Sequence, residues 1–315
     1  MVKVFVDGSV GTTGLEIVER LSGRPDITLH LLDEARRKDA AARADALAEA
    51  DIAILCLPDE AAREAVALAE TLPVRFIDAS TAHRVDPDWT YGFPELAPGH
   101  AARIAGARRV SNPGCYPTGF LALVAPLVRE GLLPAGAPLT VHATSGYSGG
   151  GKAMIAAFEE AGVADATDTA FHTYGLSLSH KHVPEMQRHA GLTLAPIFAP
   201  AVARTYRGMI VEVPLHLALC SADATPARIQ AALEAAYAGS PVVEVARDQA
   251  LDRAALRIEH VAGTDRLALF VFSNPAAGHV RLVAALDNLG KGAGGAAVQN
   301  LNLMAGLPET AGLRL

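Results

Sequence analysis

Cysteine is scarce, with only Cys56, Cys115 and Cys220 in 315 residues. Three unevenly spaced thiols exclude a disulfide scaffold or a four-cysteine zinc site, so each has to be judged alone. No apolar run approaches the roughly 20 residues that cross a bilayer, and the longest, such as Leu121 to Val128, are short. Basic charge is not in excess either. Lys and Arg number 27 against 34 Asp and Glu, a formal net charge of −7, which leaves no global field for nucleic acid or an anionic membrane surface. Charged residues make up only 19% and hydrophobic ones 50%, which excludes a disordered chain. What remains is a globular protein of about two domains with a small-molecule partner. Met1 to Val6 reads as a strand rather than a basic leader, so no signal peptide is expected and the location is expected to be cytoplasmic.

Strand and helix signals alternate over the first hundred residues. Lys3 to Asp7 is followed by a glycine cluster and then by Leu15, Val18 and Leu21 at helical spacing. Further strands are predicted at Ile27 to Leu32, Asp51 to Leu57 and Val74 to Asp78, with helices between them at Ala40 to Glu49 and Glu60 to Glu70. Such βαβ units imply a doubly wound, parallel α/β sheet that binds ligands at the carboxyl ends of its strands. From Leu139 onward, alternating strands with few helices predict an α+β domain with a largely antiparallel sheet, suited to catalysis and oligomerisation. The expected domains are 1–114, completed by 283–315, and 115–282; Leu282 to Leu303 reads as helical with glycine interruptions.

The cluster Gly8-Ser9-Val10-Gly11-Thr12-Thr13-Gly14 sits between strand and helix, where glycines let the backbone approach a pyrophosphate held by helix N–H groups. Gly8, Ser9, Gly11, Thr12, Thr13 and Gly14 are therefore the expected cofactor loop. Asp33 and Glu34 at the end of the second strand suit NAD, but Arg36, Arg37 and Lys38 follow at once, and three cations favour the 2′-phosphate of NADP. Ser80 to Arg84, after the fourth predicted strand, lies where the nicotinamide half is expected.

Cys115 follows an Asn-Pro-Gly turn and precedes a strong apolar helix, Thr118 to Glu130. The amino end of a helix favours thiolate over thiol, which makes Cys115 the candidate nucleophile, whereas Cys56 and Cys220 read as packing. A thiolate beside a nicotinamide points to acyl or aldehyde chemistry through a thioester. Such chemistry needs proton carriers, and His180 and His182, with Glu185 three residues on, supply imidazoles and an orienting carboxylate. His-x-His with a nearby Glu also has the makings of a zinc site but lacks a further fixed ligand, so no metal is expected. Tyr174 is placed to donate to substrate. Gly146-Tyr147-Ser148-Gly149-Gly150-Gly151-Lys152 has part of a P-loop pattern, but Ala153 stands where magnesium would need Ser or Thr. An anion nest for phosphate, rather than ATP hydrolysis, is the expectation.

Four blocks together, Ser111 to Gly119, Tyr91 to Leu96, His180 to Met186 and Asp287 to Ala293, strongly resemble the N-acetyl-γ-glutamyl-phosphate reductases of arginine biosynthesis in their shorter form, within the semialdehyde dehydrogenase fold group. The resemblance implies NADP-dependent reductive dephosphorylation of an acyl phosphate in a homo-oligomer. It also implies that the His180 to His182 block supplies the base, without choosing between the two, that Ser145, Gly146, Ser148 and Gly149 line the substrate site, and that Asn288 contacts nicotinamide. Reduction of another acyl phosphate, such as a carrier-bound aminoadipyl derivative, and a non-catalytic NADP sensor are the alternatives. Arg109 and Arg207 have the chemistry to pair with a substrate carboxylate or phosphate, the alternative for both being plain surface arginines.

Overall fold

Val4 and Val6 of the first strand, β1 (Val2–Asp7), enter one apolar cluster while Phe5 between them enters another. Ile52 and Ile54 against Ala53 and Leu55 repeat the pattern in β3 (Ile52–Leu55), as do Ile77 and Phe76 in β4 (Arg75–Asp78). Alternation with apolar residues in both directions is what a sheet buried on both faces requires. With β2 (Ile27–His30), β5 (Thr90–Tyr91) and β6 (Arg109–Ser111) these strands form a six-stranded sheet in the order β2-β1-β3-β4-β6-β5, paired in parallel throughout. Helices α1 (Thr12–Leu21), α2 (Ala40–Glu49), α3 (Asp59–Leu68) and α4 (His100–Gly106) connect them. The strand order reverses beside β1, which makes the end of that strand the switch point where a ligand is received.

This computed structural model describes residues 1–247 and 255–315. The chain divides into two units, one of Met1–Pro94, Gly99–Gly114 and Ala293–Arg314, the other chiefly of Glu95–Pro98 and Cys115–Gly292. The C-terminal helix Gly295–Ala305 places Ala297, Val298, Leu301 and Met304 in the cluster with Val4, Val6 and Ile17 and so covers one face of the first sheet. The return to this unit comes at Ala293 rather than at residue 283. The reason is that Leu282 to Leu286 belong to a strand, not to the predicted helix. An apolar run buried on both faces has no period of its own, and cross-strand pairing decides its conformation.

The second unit holds a seven-stranded sheet of β7 (Thr140–Gly146), β8 (Phe171–Thr173), β9 (Ile197–Ala203), β10 (Met209–His216), β11 (Val243–Val245), β12 (Leu267–Asn274) and β13 (His279–Leu286). The order is β11-β12-β13-β10-β7-β9-β8, antiparallel except for the β7/β9 and β11/β12 pairs. Its central helix, α5 (Cys115–Arg129), buries every residue from Tyr116 to Leu127, as a helix apolar on all sides must. Pro126 inside it has no N–H to offer the carbonyl of Ala122 four residues back. The Tyr237 hydroxyl donates to that oxygen instead at 2.7 Å, so the acceptor is satisfied and the helix continues. No helix among the described residues is long and apolar enough to cross a membrane.

Candidate active site

In the first unit the glycine cluster turns out of β1 at Gly8, whose φ of +83° suits only glycine and where a β-carbon would collide with the Cys56 carbonyl oxygen. Gly11 is the N-cap of α1 and has no side chain to cap it, so the first-turn N–H groups of Thr12, Thr13 and Gly14 point out of the helix toward an anion. Beside this loop lies a cavity of about 360 Å³ whose walls include Asp7, Gly8, Ser9, Leu32, Arg37, Lys38 and Arg43. Asp7 and Arg43 form a buried ion pair at 2.9 Å; burial raises the Asp7 carboxyl above its usual range while the Arg43 guanidinium pulls it back.

Two buried polar atoms at this site, Thr12 Oγ1 and Arg37 Nε, have no hydrogen-bond partner. An unsatisfied hydroxyl in the first turn of an uncapped helix, and an unsatisfied guanidinium nitrogen on a residue of the cavity wall, fit an anionic dinucleotide. Arg36, by contrast, is exposed and outside the cavity walls, and its N–H closes a turn on the Asp33 carboxylate at 2.9 Å. Of the basic run it is Arg37 and Lys38 that line the cavity. Arg43 and its pairing with Asp7 were not legible in the sequence; an arginine inside the otherwise alanine-rich α2 was the only signal. At the end of β4, Ser80 is buried, with its N–H and hydroxyl on the Asp78 carboxylate at 2.9 and 2.7 Å, and His83 Nδ1 lies 2.6 Å from the same carboxylate.

In the second unit Cys115 is the first residue of α5 and is partly exposed. The helix therefore starts three residues before the predicted Thr118, and the thiol rather than Pro117 occupies its amino end. Tyr116 beside it is buried, and the Tyr174 hydroxyl donates to the Tyr116 hydroxyl at 3.0 Å. Burial pushes Tyr174 up to about 12, with a further rise from the charge of Cys115. Tyr116 is raised well above its usual value by burial, Tyr174 and Cys115. Both phenols remain protonated donors at neutral pH.

His180 lies with its ring 5.8 Å from Tyr174, 5.1 Å from Phe198 and 4.8 Å from His182. The His182 backbone N–H donates to His180 Nδ1 at 3.2 Å, which in the neutral ring leaves the proton on Nε2. Burial, then the neighbouring Lys181, lowers the pKa of His180, so its neutral form is favoured. His182 is the buried N-cap of α6 (Val183–Ala190), and Glu185, also buried, follows three residues later.

The glycine-rich segment after β7 differs from the expected anion nest. The N–H groups of Gly146, Tyr147 and Ser148 donate to the carbonyls of Gly208, Thr205 and Tyr206. They are fixed to the next strand connection and cannot face a phosphate. Ser148 is held by Asn288, whose Nδ2 donates to its Oγ at 2.8 Å, while Asn288 Oδ1 accepts from Gly208 at 3.0 Å. Asn288 thus braces the segment around Ser148 within the second unit. Ser145 is buried and donates to the Gly146 carbonyl, and Gly149 lies against the Ser145 hydroxyl. Arg207 is paired with Asp287 at 2.8 Å, and Lys152 is exposed. Among the described residues no cluster of three or more His, Cys, Asp or Glu side chains is placed to hold a metal.

Comparison with known proteins gives these two sites a family. A model of the semialdehyde dehydrogenase NAD binding domain matches residues 3–104, and one of the semialdehyde dehydrogenase dimerisation domain matches 115–288. The N-acetyl-gamma-glutamyl-phosphate reductase of Sinorhizobium fredii is 54% identical over 96% of this chain and 98% of its own length. That of Burkholderia cenocepacia strain HI2424 is 53% identical over 98% of both. The chain belongs to the N-acetyl-γ-glutamyl-phosphate reductases. It is an oxidoreductase of arginine biosynthesis whose first unit is a Rossmann domain of the NAD-binding kind. The fold is shared more widely: aspartate semialdehyde dehydrogenase II of Vibrio cholerae, in a complex with ASA, superposes with a TM-score of 0.73 at 16% identity over 96% of this chain and 98% of its own. The enzyme of Candida albicans, solved with NADP, does so at 0.66 and 15%, over 96% and 98%.

Proposed function

We propose that the enzyme reduces N-acetyl-γ-glutamyl phosphate to N-acetyl-L-glutamate 5-semialdehyde through a thioester on Cys115. The observation that carries this reading is the thiol at the first residue of α5, next to Tyr116, whose ring and hydroxyl meet His180, His182 and Tyr174. The Cys115 sulfur attacks the acyl carbon and inorganic phosphate leaves. NADPH held by the first unit would supply the hydride that reduces the thioester carbon, and the Cys115 thiohemiacetal so formed would collapse to the aldehyde and free thiol. His180, with its proton on Nε2, is the donor for the developing oxyanion, and His182 takes the thiol proton, with Glu185 one helical turn on as its orienting carboxylate. Tyr174 stays protonated and directs its hydroxyl at the group beside Cys115. Ser145, Gly146, Ser148 and Gly149 shape the wall of the substrate site. The cofactor loop, Ser80 and the basic pair Arg37 and Lys38 hold the dinucleotide. A homo-oligomer formed through 115–288, which the dimerisation-domain match supports, and a cytoplasmic location complete the reading.

The reverse reaction tests it. Phosphate-dependent reduction of NADP with N-acetylglutamate semialdehyde is expected to exceed that with aspartate semialdehyde by orders of magnitude, and equal or reversed rates contradict the substrate. The cofactor assignment has its own test. Arg37 lines the cavity, its Nη2 on Glu34 at 3.0 Å and its Nε without a partner, and a charge-assisted hydrogen bond to a phosphate dianion contributes about 1.5 to 3 kcal/mol. Arg37→Ala is then expected to weaken NADPH binding by roughly 10- to 100-fold with little change for NADH. Arg36→Ala is expected to leave both nearly unchanged. Titration with 2′,5′-ADP and 5′-AMP reads the same contrast without turnover, and equal losses for the two ligands contradict it.

A further inference from the structure

Lys291 is almost completely buried, its side chain 1% exposed, and its ammonium donates to both carboxylate oxygens of Glu95 at 3.0 and 2.8 Å. Charges are rarely buried so far, and a pair of apolar side chains of similar volume generally serves stability as well. What a buried two-oxygen pair adds is a fixed direction. Resting on the thioester reading above, we propose that the Lys291–Glu95 pair is a positioning device for the nucleophile: it locks the turn from Asp287 to Gly292 against the side chain of Cys115.

The geometry joins these groups directly. A β-carbon on Gly292 would lie 2.9 Å from Cys115 Cβ and 3.3 Å from its Cα, so the backbone of the turn rests on the nucleophile. The near end of the turn is tied to the sheet. The Asp287 carboxylate accepts from the N–H groups of Leu289 and Gly290 at 2.8 and 3.0 Å and forms an ion pair with Arg207 at 2.8 Å, and its carbonyl accepts from Gly292 at 2.9 Å. Asn288 is held by Ser148 and Gly208. The far end enters a π-helical turn, Gly290–Gly294, a wide geometry that persists only where neighbours hold it and that recurs at functional sites. Lys291, next to Gly292, is its side-chain anchor, and Glu95, in the short 3-10 turn Pro94–Leu96, is the post to which it is tied. Release of that anchor lets Gly292 withdraw and frees Cys115 to rotate out of its reactive orientation.

The test uses the full-length enzyme with Glu95→Gln, Lys291→Met and Lys291→Arg. Read are kcat and KM separately, the rate of Cys115 alkylation by iodoacetamide followed on its peptide by mass spectrometry, and the melting midpoint. Small misplacement of a reacting group costs on the order of 100-fold in rate. Glu95→Gln and Lys291→Met are therefore expected to lower kcat about 10- to 100-fold, slow Cys115 alkylation about fivefold or more at neutral pH and leave NADPH binding unchanged. Lys291→Arg is expected to recover part of both losses. A lower melting midpoint with kcat and alkylation as in the wild type means a purely structural pair and overturns the proposal. If Lys291→Met does not fold, Gly292→Ala presses on the same contact. It is expected to reproduce the loss of kcat and the altered alkylation, and wild-type values there overturn the proposal. Turnover surviving in Cys115→Ser would instead remove the thioester reading, an outcome separate from any of these.

Discussion

Cys115→Ser is expected to lower turnover in both directions by about a thousandfold or more, while NADPH binds as tightly as in the wild type. A serine hydroxyl at the same place is far less acidic and less nucleophilic than a thiol. The first-turn N–H groups of α5 that favour a thiolate do little for an alcohol that stays protonated. Since Cys115 is partly exposed and opens the helix, the substitution replaces sulfur by oxygen at a position that does not carry the core, and the protein should fold normally. Cofactor binding is read by quenching or enhancement of NADPH fluorescence on the variant, and turnover by phosphate-dependent NADP reduction. A trapped acyl group supplies a second reading. Wild-type enzyme mixed with acyl phosphate and no cofactor should gain mass on the peptide containing Cys115, and Cys115→Ser should not. Cys56→Ser is the contrast. Burial pushes the Cys56 thiol up to about 12, so it is inert, and its loss should leave the rate of the acyl step unchanged.

Much of this site was legible in the sequence because the chemistry lies in local signals. A strand that stops at a glycine cluster before a helix, and a cysteine that follows Asn-Pro-Gly before an apolar helix, are short-range patterns whose geometry follows from backbone sterics. The doubly wound first sheet was legible for the same reason. What failed has a common cause in long-range pairing. Leu282 to Leu286 became a strand because β10 and β12 flank it. The Gly146 to Ser148 N–H groups looked available until the connection Thr205 to Gly208, some sixty residues on, was found to take them. Arg36, Arg37 and Lys38 are equivalent as a charge run, yet the turn closed on Asp33 sends Arg36 outward and leaves Arg37 and Lys38 on the cavity. The Lys291–Glu95 pair joins residues 196 apart, and nothing local in either block announces it.

The two histidines divide by the same kind of contact, and this division gives the second large effect. Because the His182 N–H occupies Nδ1 of His180, the neutral His180 ring is a donor at Nε2, and a proton added at Nδ1 would have to displace that bond. The burial that lowers the pKa of His180 works in the same direction. A neutral imidazole can then stabilise the oxyanion over the whole neutral range, since the form that donates is lost only as pH falls through a value below the usual imidazole pKa of about 6.5. Loss of one such donor costs on the order of 100- to 1,000-fold in kcat, and that is the expected result for His180→Ala. Glutamine places an amide N–H near the position of Nε2, whereas asparagine is too short, so His180→Gln should keep activity within about tenfold of wild type and His180→Asn should resemble alanine. The pH profile separates the roles further. The wild-type kcat/KM should fall on the acid side at a pH below about 6.5, and His180→Gln, which has nothing to protonate at that position, should lose the part of the acid limb that His180 contributes. If glutamine is as inactive as alanine, His180 transfers a proton rather than lending a hydrogen bond, and the assignments of His180 and His182 exchange.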